Sequence, residues 1–201
     1  GLTLETTVPN KGLILQNCKD SLFRDVEIKG PWVSGNAVAT TDVGIEMNSL
    51  SGSVETKNNI FENCRVSGYS YSISSDWDIH NNIWDNCSFA NCSYGFAFAT
   101  NLNTLNALSG SGQEKGPYNN TITNSRFDDI NRHAIWSKFG TLNTSSNNSY
   151  VKIGTEGAAE FQATHSVIKY EKPGNSSIGD YFARTAVLSY TPGYWISYAY
   201  L

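Results

Sequence analysis

The stretch "NNIFENCRVSG", Asn58–Gly68, is written again almost letter for letter as "NNIWDNCSFAN", Asn81–Asn91. Two looser copies flank the pair, "DSLFRDVEIKG" from Asp20 and "NNTITNSRFDD" from Asn119. Starts at 20, 58, 81 and 119 lie 38, 23 and 38 residues apart, a basic step of 23 with inserts of 15. Aligned, the copies form columns. Phe23, Phe61, Trp84 and Ile122 share one, Val26, Cys64, Cys87 and Ser125 a second, and Ile28, Val66, Phe89 and Phe127 a third. A polar column, Asp25, Asn63, Asn86 and Asn124, lies between the first two.

A period in the low twenties, built of short alternating runs without helical spacing, indicates a solenoid. Leucine-rich repeats are the main competitor, but Leu is scarce at the repeat positions. A β-solenoid fits better: each coil holds three short strands, and equivalent strands stack about 4.8 Å apart in parallel sheets. Like residues then lie over like. The Asn63 column is expected to face inward at a tight turn as a ladder of amide hydrogen bonds.

The first strand of each coil carries a small-apolar signature: "GLIL" at Gly12, "GIEM" at Gly44, "YSIS" at Tyr71, "GFAF" at Gly95 and "AIWS" at Ala134. The second strand holds the Phe61 column, and the third the Cys64 and Val66 columns. Inserts 31–43, 48–57, 100–118 and 138–148 all flank the first strand. The first sheet is therefore expected to be walled by loops, where sites are commonly built on a rigid scaffold.

Composition agrees with an all-β chain. Charged residues are only 16% and aromatics 12%, so Ser, Thr, Asn and Gly must make the polar surface. Net charge is −4 with no Lys/Arg cluster, which argues against nucleic acid as a partner. No apolar run approaches membrane-spanning length. The chain opens "GLTLETTV" without Met or signal peptide and reads as a fragment or processed product. Cys18, Cys64, Cys87 and Cys92 form no CxxC pair and the three His are dispersed, so no metal site and no cofactor are expected. Cys64 and Cys87, one coil apart in one column, are too far apart for a disulfide and read as free, apolar-like thiols.

"NNIFENC", "NNIWDNC" and "NNTITNS", with the "GFAF" and "AIWS" strands that follow, resemble the right-handed parallel β-helices of the pectin-lyase-like superfamily over roughly residues 10–155. Within it the chain looks most like bacteriophage tailspikes and tail fibres, given its low charge, its Ser, Asn and Tyr richness, and the changed segment from about Gly157. The resemblance implies a parallel β-helix over 1–156 and a β-rich cap or trimerisation segment over 157–201. It also implies a homotrimer on the virion, acting at the host surface on cell-surface polysaccharide. The polygalacturonase motifs N-T-D, G-H-G and R-x-K are missing, so no catalytic residue carries over.

Glycoside hydrolysis needs two carboxyls about 5–9.5 Å apart. Glu46 should point outward from the first strand, Ser74 takes the same place one coil on, and Asp76 and Asp78 follow. Glu46 with Asp76 or Asp78 is the candidate catalytic pair; the bland alternative is three solvated loop acids. Trp77 and Trp136, with Ser74, are the candidate sugar-binding residues, because exposed rings suit the apolar faces of sugars; the alternative is Trp packed beneath a loop. Asp128 and Asp129 with Arg132 and His133 read as an ion pair closing a turn. His80 and His165 have no evident partner. Three functions compete: a depolymerase, a non-enzymatic receptor-binding or structural fibre, and a secreted bacterial polysaccharide lyase or adhesin.

Overall fold

The computed structural model describes residues 1–34, 36–48, 55–75, 79–98, 116–137, 140–154, 167–170, 174–183 and the backbone of 195–196. Among these the chain is all-β, with parallel strands stacked in three long sheets and a two-stranded one, Thr56–Lys57 with Ile79–His80. The first sheet contains Leu13–Gln16, Val43–Asn48, Tyr71–Ser75, Tyr94–Phe98, Ile135–Ser137 and Ile168–Tyr170, with Trp195–Ile196 added antiparallel. The second contains Leu22–Arg24, Ile60–Glu62, Ile83–Asp85, Thr121–Thr123, Thr144–Ser146 and Ser176–Ile178. The third contains Leu2–Glu5, Val26–Lys29, Arg65–Ser67, Ser88–Cys92, Arg126–Ile130, Ser149–Ile153 and Tyr181–Ala183. The chain visits the sheets in the order first, second, third, as a β-solenoid requires.

Registers reproduce the sequence columns. Phe61 pairs with Phe23 and Trp84, and Trp84 with Ile122. Val66 pairs with Ile28 and Phe89, and Phe89 with Phe127. Partner side chains stack: Phe23 on Phe61 at 4.8 Å, Phe61 on Trp84 at 5.3 Å, and Phe127 on Tyr150 at 4.9 Å between ring centroids. Trp84, Phe61, Phe89, Phe96 and Phe127 are fully buried in one core. Each contributes about 1.5–3 kcal/mol of burial, and parallel stacked rings add to it. Cys18, Cys64, Cys87 and Cys92 are free thiols. Cys64 and Cys87 donate to the Phe23 and Phe61 carbonyls of the neighbouring coil.

The expected inward column of Asn63, Asn86 and Asn124 is corrected. All three are exposed, and their φ values of 53°, 53° and 50° mark a one-residue left-handed corner between the second and third sheets. Asn tolerates that conformation better than most residues. The buried ladder lies elsewhere, at the second Asn of the repeated "NN", Asn59, Asn82 and Asn120, and at Asn143, which follows Leu142. Asn59 Nδ2 donates to Asn82 Oδ1 at 2.9 Å, Asn82 to Asn120 at 3.0 Å, Asn120 to Asn143 at 3.0 Å, and Asn143 to Asn175 at 3.1 Å. The same Oδ1 atoms accept the backbone N–H of the preceding coil, so each amide secures two chain segments.

Stacking also carries on past Gly157. Ile168–Tyr170, Ser176–Ile178 and Tyr181–Ala183 extend the three sheets by a further coil. The change in composition there does not end the stacking. Most of the remainder of 157–201 lies outside the described residues.

Candidate functional site

The outer face of the first sheet is built by one irregularity. Strict alternation would put Gly44 outside, beside Ile45 facing in. Instead both face inward: a Cβ added at Gly44 would lie 2.3 Å from Val66 Cγ1 and 3.2 Å from Tyr69 Cδ2 in the core. Glycine, serine or alanine occupies that place in five successive coils (Gly12, Gly44, Ser72, Gly95, Ala134), and Val167 in the next. The residue before it is thereby turned outward, so Val43, Tyr71 and Tyr94 form an outer column of their own.

A second outer column follows from the registers: Ile14, Glu46, Ser74, Ala97, Trp136 and Lys169, one per coil. The two columns make a satellite apolar cluster of Val43, Tyr71, Tyr94, Ala97 and Trp136, joined by Val38. Tyr71 stacks on Tyr94 at 4.8 Å, and Tyr94 on Trp136 at 5.6 Å. His133 packs against both Tyr94 and Trp136. Arg132 Nη1 donates to Tyr94 Oη at 2.9 Å with its guanidinium over that ring, and the Lys169 ammonium sits 5.5 Å above the Trp136 ring. Burial, with the nearby Tyr94, pushes the Tyr71 phenol up to about 12.

Insert 31–43 lies where the sequence places it. Val38 covers the tyrosines, Ala39 N–H donates to Ser70 Oγ, and Ser34 Oγ reaches Asn131 Oδ1 several coils away at 3.2 Å. This segment closes over part of the outer face, so the face is less open than the sequence suggests. Ser74 stands in the outer column yet is buried, and Trp136 is half-buried.

Glu46 occupies the predicted outer place but is engaged: Lys11 Nζ lies 2.6 Å from Oε2, and Asn48 Nδ2 donates to Oε1 at 2.7 Å. Trp136 is three rungs from Glu46, about 14 Å along the stack. Asp76, Trp77 and Asp78 lie outside the described residues, so the proposed acid pair and the second Trp have no geometry here. Asp128 pairs with Arg126 at 2.7 Å, two residues before it within the same strand, so this is not the expected turn-closing pair with Arg132. The reading of His80 as lacking a carboxylate partner is corrected: its Nε2 lies 3.5 Å from Glu55 Oε1, and its ring stacks on Tyr118 at 4.5 Å. Glu55 also pairs with Lys57, whose hydrogen bond is the main reason its carboxyl is held down to about 2. Among the described residues no three His, Cys, Asp or Glu come together as a metal-binding group.

The sequence reading missed Tyr71, Tyr94, Arg132 and His133 as members of one cluster. A signal was present: Tyr71 and Tyr94 are separated by the same 23 residues as Phe61 and Trp84. No protein-family model, curated protein or solved structure matches the chain.

Proposed function

We propose that this chain is a segment of a bacteriophage tail appendage, a tailspike or tail fibre, that recognises host cell-surface polysaccharide on the outer face of its first sheet. The observation that carries the reading is the stacked row Tyr71, Tyr94 and half-buried Trp136, flanked by Arg132 and Lys169. Tyr71 and Tyr94 are buried against each other and back the row, so the exposed part of Trp136 offers the apolar surface to a sugar, and the flanking polar groups orient it. In this proposal the solenoid is right-handed and pectin-lyase-like; parallel crossovers are right-handed in nearly all proteins. Residues 157–201 add the further coil of 168–183 and then cap the helix and hold a homotrimer, and the protein acts from the virion at the host surface.

Recognition without cleavage is favoured over depolymerisation by the state of Glu46. A carboxylate already held by Lys11 and Asn48 is poorly placed to share a proton with a glycosidic oxygen. The depolymerase version assigns catalysis to Glu46 with Asp76 or Asp78.

The test is to incubate the protein with capsular or O-antigen polysaccharide of candidate hosts, measuring binding and new reducing ends. Trp136→Ala should weaken binding about two- to tenfold, the size of a lost aromatic contact. Unchanged binding by that variant overturns the assignment of the face. Reducing ends that vanish in Glu46→Gln select the depolymerase version.

A further inference from the structure

A second groove runs along the solenoid axis on a different side of the molecule, at the corner between the second and third sheets. It encloses about 650 Å³, within the usual range for ligand sites. Its origin is the left-handed corner. Asp25, Asn63, Asn86 and Asn124 each turn the chain, one per coil, and set one carboxylate and three amides along the groove. The next residue of each coil, Cys64, Cys87 or Ser125, points into the core. The one after projects outward again. Two polar rails result, with main chain as the floor between them.

The second rail has a pattern that the first lacks. In register along the third sheet it reads Glu27, Arg65, Ser88, Arg126 and Ser149. Guanidinium groups therefore recur on alternate rungs, roughly 9.6 Å apart at two strand spacings, with a carboxylate or a hydroxyl on the rungs between. Arg65 is exposed and makes no ion pair among the described residues. Arg126 uses Nη2 for Asp128 and retains further N–H donors. Glu27 is occupied by Lys29 at 3.0 Å and leaves Arg65 unneutralised.

A rung spacing is close to the length of one pyranose unit in an extended glycan. We propose that this groove binds a linear polysaccharide of disaccharide repeat in which every second sugar carries a carboxylate. The acid sugars lie over Arg65 and Arg126, where the planar guanidinium donates two parallel hydrogen bonds to a carboxylate. The neutral sugars lie over Glu27 and Ser88; Asn86 and Asn124 spend their Nδ2 groups on Asn63 Oδ1 and Asp85 Oδ1, so Asn63 Nδ2 and the Oδ1 atoms of Asn86 and Asn124 take hydroxyl groups along the other edge. A polymer acidic at every sugar is opposed by Asp25 and Glu27, and a neutral one leaves Arg65 without a counterion. This site is independent of the first-sheet face.

The experiment is calorimetric titration of the full chain with three hexasaccharide probes: hyaluronan (acid and neutral sugars alternating), oligogalacturonate (acid throughout) and cellohexaose (neutral). The alternating probe should bind at least tenfold tighter than either control. Arg65→Gln and Arg126→Gln, both at exposed positions, should each weaken it about ten- to a hundredfold, the range for a lost charge-assisted hydrogen bond. Ser88→Glu should abolish it by placing an acid between the arginines. Trp136→Ala should leave it unchanged. No binding of the alternating probe, equal binding of oligogalacturonate, or indifference to both arginine changes overturns the proposal. Loss of binding on Trp136→Ala also overturns it and assigns the ligand to the first-sheet face.

Discussion

Replacing Asn82 by Ala tests what holds the coils at their height. The Asn82 side chain is fully buried. Its Oδ1 accepts the Asn59 backbone N–H at 3.0 Å and the Asn59 amide at 2.9 Å, while its Nδ2 reaches Asn120 Oδ1 and the His80 carbonyl. Alanine removes the acceptor shared by two buried donors. The carbonyl side suffers less, because Asn120 Oδ1 keeps the backbone N–H of residue 82. Each stranded donor costs about 1–3 kcal/mol, so the loss should be about 2–6 kcal/mol, a large share of a stability of roughly 5–15 kcal/mol. Asn86→Ala is the control. Its side chain is solvent-exposed and donates to Asn63 Oδ1, and the cost is mainly that of placing alanine, which tolerates the left-handed region less well than asparagine, at φ 53°, about 1–2 kcal/mol; Asn86→Gly should recover most of it. Urea unfolding followed by tryptophan fluorescence reads all three variants. An Asn82→Ala midpoint close to wild type, or an Asn86→Ala loss as large as that of Asn82→Ala, would refute the placement of the ladder.

Other expectations follow from the same packing. Gly44→Ala should destabilise the fold by about 1–3 kcal/mol through overpacking, since the added methyl meets Val66 Cγ1 at 2.3 Å and Ser72 O at 2.7 Å; a melting temperature equal to wild type would show that the first sheet can shift to accept it. The Cys87 thiol is pushed up by its hydrogen bond with Cys64 and by burial, and burial pushes Cys92 up to about 12. Both should resist a thiol reagent at pH 8 until urea is added, and rapid labelling of the native protein would contradict their burial. Tyr71 should titrate late when phenolate absorbance is followed, near pH 12. Its folded value lies above the unfolded one, about 10, so its contribution is complete below pH 10 and is lost as pH rises towards 12. A Tyr71→Phe variant with an unchanged alkaline titration curve would contradict this.

The columns were legible because stacking demands like over like: Phe61 over Phe23 and Trp84 over Phe61 could be read from spacing alone. The choice of ladder was not read correctly, although the information was present. Asn59 has the parity of inward Phe61 along its strand, whereas Asn63 follows the last strand residue, where a left-handed corner ends the alternation. Corners, unlike strands, do not announce which way a side chain faces. The outer tyrosine column stayed hidden for a related reason: the two consecutive inward residues at Gly44 and Ile45 reverse the parity of everything before them. The candidate acids Asp76 and Asp78 fall outside the described residues, so their part of the sequence reading rests where it began.

The buried amides of Asn59, Asn82, Asn120 and Asn143 all point the same way, each N–H towards the C-terminal coil, and Asn175 receives the last bond. Their dipoles add head to tail, so each bond polarises the next. The solenoid therefore has an electrical direction as well as a geometric one. At any stage of growth its C-terminal face offers unpaired donors and calls for an acceptor oxygen at one fixed spot. A coil laid down in reverse, or slipped by one residue, would present the wrong atom there. The row of asparagines acts as a proofreading edge that admits the next turn of chain in one orientation only.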